Sequence, residues 1–147
     1  MEKLSNTELL ILLLKYSTDN KIEGRTRFQK IVYLLKELSG INFSYDFKPY
    51  FYGPYSSELQ NDINLLTELG VCREEIKTVA VDIIPGWKYT YILSDAGKKL
   101  AEYIEKKLDE QYLEKFKEHV RKIEKLSTGA LILMSKYVLS KKMAQIQ

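Results

Sequence analysis

Residues 57–105 most constrain what this chain can fold into. SELQNDINLLTELG carries Leu59, Ile63, Leu66 and Leu69 at helical spacing and stops at Gly70, which fits a left-handed helix end. Two strand-like runs follow. Ile76 to Ile84 is rich in β-branched residues, and Trp87 to Leu93 places Trp87, Tyr89, Tyr91 and Leu93 on one face. Pro85-Gly86 between them is a turn signal, so the pair predicts a β-hairpin. Ser94 then caps another helix. A hairpin held between helices points to an α+β fold, mainly α.

Two helices precede this unit. SNTELLILLLKYS starts at Ser5 or Asn6, with Glu8 completing a capping box from Ser5. Leu9, Leu10, Leu13 and Leu14 form its apolar face. GRTRFQKIVYLLKELSG has Thr26 as its expected cap, a broad apolar stripe from Phe28 to Leu38, and Gly40 as its stop. Next, in INFSYDFKPYFYGPY, Phe43, Tyr45 and Phe47 alternate with polar residues and predict a short strand; Pro49 and Gly53-Pro54 break regular structure. Ser57 with Gln60 predicts the capping box of the third helix.

After the hairpin, Leu100, Ile104, Leu108, Tyr112, Phe116, Val120 and Ile123 recur at three- and four-residue spacing. They belong to one long helix or to two with a break near Asp109 to Gln111. ALILMSKYVLSKKM forms a last helix. The stripe is wider than one hairpin can cover, so it folds back or pairs with a second chain. The expectation is a homodimer through residues 96–139. The division expected is a domain at 1–94 and a C-terminal helical extension at 95–147.

Helix, helix, short strand, helix, hairpin, helix is the winged helix-turn-helix order. LLTELGVC followed by YILSDAGKKLAEYI resembles the PadR-like winged-helix regulators at Leu69, Gly70, Val71, Tyr91, Leu93, Ser94 and Gly97, over roughly residues 5–105. A second likeness is sharper. Gln29, Lys30 and Tyr33, with Tyr52, Gly53, Pro54 and Tyr55, resemble the SocA/Panacea-type antitoxin domain and its YwgA-like relatives over roughly residues 22–70. The first likeness implies a DNA-binding fold. The second implies a domain of mobile-element and toxin–antitoxin settings.

Two functions follow as expectations. As a transcription regulator binding double-stranded DNA, the chain would hold phosphates with Arg25, Arg27 and Lys30. Ser57, Gln60, Asn61 and Asn64 would face bases from the third helix, and Lys88 would act at the wing. Yet Ser56 to Gly70 holds Glu58, Asp62 and Glu68 with no basic residue, a poor phosphate binder. In the wing, Arg73, Lys77 and Lys88 cancel Glu74, Glu75 and Asp82. The alternative is a protein-interaction module of antitoxin or phage-defence type, with Tyr50, Tyr52 and Tyr55 meeting the partner.

An enzyme is not expected. His119 is the only histidine, and no glycine-rich phosphate loop or nucleophile elbow is present. No cofactor or metal is implied. Cys72 reads as a small half-buried filler. No apolar run approaches the roughly 20 residues of a membrane span, and MEKLSNTELL lacks the pattern of a signal peptide, which predicts a cytoplasmic protein. The net charge of +3 over 147 residues falls short of a dedicated nucleic-acid binder.

Overall fold

A computed structural model describes residues 3–81 and 84–146. Its centre is α1 (Asn6–Tyr16), where Leu9 to Leu14 are all buried. A helix apolar all round needs neighbours all round. The face expected from four leucines is therefore wider and includes Ile11 and Leu12. The capping box forms as expected: Ser5 Oγ accepts from Glu8 N at 3.2 Å, and Glu8 Oε1 accepts from Ser5 N at 3.0 Å.

A single 3-10 turn at Thr18–Asn20 leads into β1 (Lys21–Glu23), a strand that no sequence pattern announced. β1 has only three residues, too few to show an alternation. α2 (Arg25–Ser39) follows and stops at Gly40, whose φ of 69° is left-handed. Thr26 does not cap it; Gly24 occupies that position and offers no side chain.

Phe43 and Tyr45 are buried and Phe47 half-buried in the expected alternation, which Ile41 extends backwards, but residues 41–47 form no strand. The segment lines the core as extended chain: Lys36 Nζ donates to Tyr45 O at 2.6 Å, and Tyr45 Oη donates to Asp62 at 2.6 Å. Pairing begins later, in β2 (Lys48–Tyr50) and β3 (Gly53–Tyr55), a small hairpin across the prolines expected to break regular structure. α3 (Ser57–Glu68) is capped one residue earlier than expected, by Ser56, whose Oγ accepts from Leu59 N at 3.1 Å. Its end is the expected one. Gly70 N donates to Thr67 O and Val71 N to Leu66 O, a Schellman arrangement around Gly70 at φ 75°.

β4 (Cys72–Val81) and β5 (Ile84–Leu93) make the large hairpin. Pro85 and Gly86 are not its turn, because they pair with Ala80 and Val79 inside it. Among the described residues β1 pairs with β5 only at Thr90 to Ile92, away from Pro85, so no described strand pairs with β5 on that side at Pro85. Asp82 and Ile83 lie outside the described residues. The sheet order is β1-β5-β4, all antiparallel.

The C-terminal stripe resolves into two helices, α4 (Asp95–Glu105) and α5 (Glu110–Glu124), separated at Asp109, which caps α5 by accepting from Tyr112 N. α6 (Thr128–Ile146) completes the chain. α4 and α5 pack on α1, and α5 and α6 on α2. Ala101, Ile104, Phe116, Val120, Ile123 and Leu131 join the same core as α1 to α3. The stripe thus folds back onto the core of the same chain. Side chains from both sides of position 94, among the described residues, share this core. Among the described residues no helix is long and apolar enough to cross a membrane.

Candidate functional site

The first turn of α2 and the β2–β3 hairpin face each other, and their contacts begin with two residues of α2. Gln29, almost fully buried, uses both ends of its amide on Ser56: Nε2 donates to Ser56 O and Oε1 accepts from Ser56 N, each at 2.9 Å. Lys30 Nζ donates to Pro54 O at 2.9 Å. The Gln-Lys pair is therefore a clamp on the Gly-Pro-Tyr-Ser segment. Gly53 is obligatory there. Its φ is 98°, and an added Cβ would lie 3.3 Å from Lys136 and 3.6 Å from Lys30 Cε.

The clamp leaves the hairpin tip outside. Tyr50 packs edge-to-face on Tyr55 with centroids 5.1 Å apart. Phe51 at the turn is 91% exposed and Tyr52 is 63% exposed. A cleft of about 410 Å³ opens below, lined by Arg25, Thr26, Gln29, Lys30, Tyr50, Phe51, Tyr52 and Tyr55. The aromatic residues singled out from sequence are thus brought together, and Tyr55 belongs to the wall rather than the tip.

The expected phosphate contacts need correction. Lys30 is 2% exposed and bonded to a carbonyl, so it is not a surface cation. Burial, with Lys136 nearby, pushes its ammonium down to about 8. Arg27 directs its guanidinium at the end of α5, donating to Glu124 O at 2.6 Å and Leu126 O at 2.7 Å. Arg25 stacks over Tyr89 at 3.6 Å, donates from Nε to Tyr91 Oη at 2.9 Å and pairs with Glu74 at 3.5 Å. Lys88 pairs with Glu23 at 2.9 Å on the other side of the hairpin's sheet. These cations are not gathered on one face: Arg25 and Lys30 line one cleft and Arg27 and Lys88 another, and each is engaged within the chain, although Arg25, Arg27 and Lys88 stay partly exposed.

On α3, Ser57, Asn61 and Asn64 are exposed, while Gln60 is half-buried and donates to Asn64 Oδ1 at 3.0 Å. They form a polar row with Glu58 and Glu68 beside it. Burial raises the Cys72 thiol, which lies 3.3 Å from Thr67 Oγ1, and it remains a filler. His119 sits partly exposed on α5. Among the described residues no group of three or more His, Cys, Asp or Glu could hold a metal ion. Sequence reasoning missed the clamp. Its signal was the Gln29-Lys30 pair itself, a polar doublet inside an apolar stripe.

The residues of the other likeness meet at one knot. Ser94 Oγ donates to Val71 O at 2.8 Å and accepts from Gly97 N at 3.0 Å, and Ser94 N donates to Val71 O at 3.0 Å. This junction ties the end of α3 to the start of α4 across the base of the large hairpin.

No protein-family model and no solved structure matches the chain. Among curated proteins it is similar to "Uncharacterized protein YwgA" of Bacillus subtilis (strain 168), with 32% identity over 93 residues, 63% of this chain and 52% of that protein. The chain therefore spans about half the length of the curated relative it matches.

Proposed function

We propose that this chain is a non-catalytic winged-helix module of the cytoplasm whose aromatic hairpin recognises a protein partner, in the manner of an antitoxin or phage-defence component. The order helix, strand, helix, small hairpin, helix, large hairpin, with β1 beside β5, supports the winged-helix reading. The observation that carries the partner reading is the exposure of Phe51 and Tyr52 on a hairpin fastened at its base by Gln29 and Lys30. Rigid aromatic side chains lose little entropy on binding and dominate interface hot spots. A photo-crosslinking residue at position 51 is expected to give one discrete adduct in cells, with none from a control at exposed Glu102. The purified adduct partner should then bind Phe51→Ser at least tenfold more weakly. Equal adducts at both positions would sink the reading.

A second reading, a DNA-binding regulator, is favoured by the exposed Asn61 and Asn64 on the helix that a winged helix places in the major groove. Anisotropy of labelled random-sequence duplex at low and near-physiological salt decides it. Binding that collapses with salt and with Arg25→Ala would favour the regulator. The acidic α3 and the internally engaged cations lead us to expect no binding.

A further inference from the structure

The cleft beneath the aromatic hairpin has a charge pattern that says what it would take. Its lining holds no acid; it includes the partly exposed Arg25, which pairs with Glu74 at 3.5 Å behind the cleft, and the buried Lys30. Lys30 carries three donors and has one acceptor, Pro54 O, among the described residues. Arg25 engages Nε and Nη2, leaving Nη1. The first turn of α2 also opens here. It has no side-chain cap and no acidic residue, so its backbone N–H groups and the positive end of the helix dipole lack the usual anionic neighbour. The opposite wall is Tyr50, Phe51, Tyr52 and Tyr55, which offers apolar ring faces. One side of the cleft therefore suits an anion and the other an apolar side chain. Its size falls within the roughly 300–1,000 Å³ of small-ligand sites, enough for the end of a peptide.

We propose that the cleft between the first turn of α2 and the β2–β3 hairpin binds a peptide carboxylate flanked by an apolar side chain. The proposal rests on the protein-recognition reading and names the partner's chemistry. A free C-terminus and an internal Glu supply the same group. The carboxylate lies against Arg25 and the N–H groups of the first turn. The neighbouring side chain lies on Tyr52 and Tyr55. Charge complementarity selects the acid, since a neutral peptide would leave these donors unpaired.

Three fluorescein-labelled probes test it: a short peptide ending in Leu-Phe as the free acid, the same peptide amidated, and an amidated peptide with internal Glu-Leu-Phe. The expected result is binding of the free acid or the Glu peptide at least tenfold tighter than the neutral amide. Arg25→Gln should erase this preference. Tyr52→Ser, on the exposed tip and away from the core, should weaken binding tenfold while leaving the circular dichroism unchanged. Equal binding of all three probes, or none, would overturn the carboxylate proposal. If the adduct at position 51 survives that outcome, protein recognition stands and only its chemistry is wrong. Binding of a fluorescent adenosine monophosphate without any peptide binding would also overturn it, by assigning the anion to a nucleotide.

Discussion

Burying the Lys30 ammonium beneath the Gly53–Tyr55 strand costs desolvation that one hydrogen bond to Pro54 does not recover. Its folded pKa of about 8 lies below the ordinary 10.5. Between those values the unfolded chain holds the proton and the folded chain has released it, so stability rises with pH in that window. Below pH 8 the folded state carries the full penalty, at most about 3 kcal/mol. Two opposing effects set in above it. The buried Cys72 thiol and the buried tyrosines, Tyr33 among them at about 12, are harder to ionise when folded, so they erode stability once their unfolded forms ionise. Comparison with Lys30→Met isolates the lysine. The wild type should gain about 1–3 kcal/mol on that variant between pH 7 and 9.5 in urea melts. A difference that stays flat with pH would show that Lys30 is not desolvated.

At the scale of elements, two junctions hold the helices in place. Arg27 joins α2 to the end of α5 by donating to the carbonyl of its last residue, Glu124, and to that of Leu126 just beyond it. Arg27→Ala should cost about 2–3 kcal/mol in denaturant titrations, because each charge-assisted bond contributes about 1.5–3 kcal/mol and the losses overlap. Arg27→Lys should recover less than half, since one ammonium cannot reproduce the fork. The second junction is Gly97, where an added Cβ would press into Val71 O and sit 2.5 Å from Leu93 Cδ1. The obstacle on one side is backbone, so α4 must shift. Gly97→Ala should destabilise by more than about 2 kcal/mol despite its better helix propensity, and a neutral melt would mean that the junction yields. The glycine was visible in the sequence as part of a resemblance. The close approach that demands it was not, because Val71 lies 26 positions earlier.

At the scale of the whole molecule, the C-terminal helices are part of the core rather than an addition to it. Ile104, Phe116 and Val120 are fully buried, and α1 is apolar all round because α4 and α5 surround it. A fragment of residues 1–94 should therefore expose Ile11 and Leu12 and lack a cooperative thermal transition, whereas the full chain has one. A fragment that melts cooperatively would favour the two-part division expected from sequence. The candidate site depends on the same completeness, since α6 brings Lys136 and the buried Ser135 against Gly53.

The sequence alone determined the helices, the large hairpin, most of the caps and the cluster of tyrosines around Gly53-Pro54. Each is a local property: apolar spacing, β-branched content and the conformational demands of glycine and proline act over a few residues. Only the tertiary structure decided where the charges go. Arg25, Arg27 and Lys30 stand in the first two turns of one helix, and spacing alone makes them a basic patch. Their partners are Tyr91, Glu124, Leu126 and Pro54, at sequence separations of 24 to 99. The cost of burying an unpaired cation draws each to the nearest acceptor that the fold supplies, and no local pattern records which one that is.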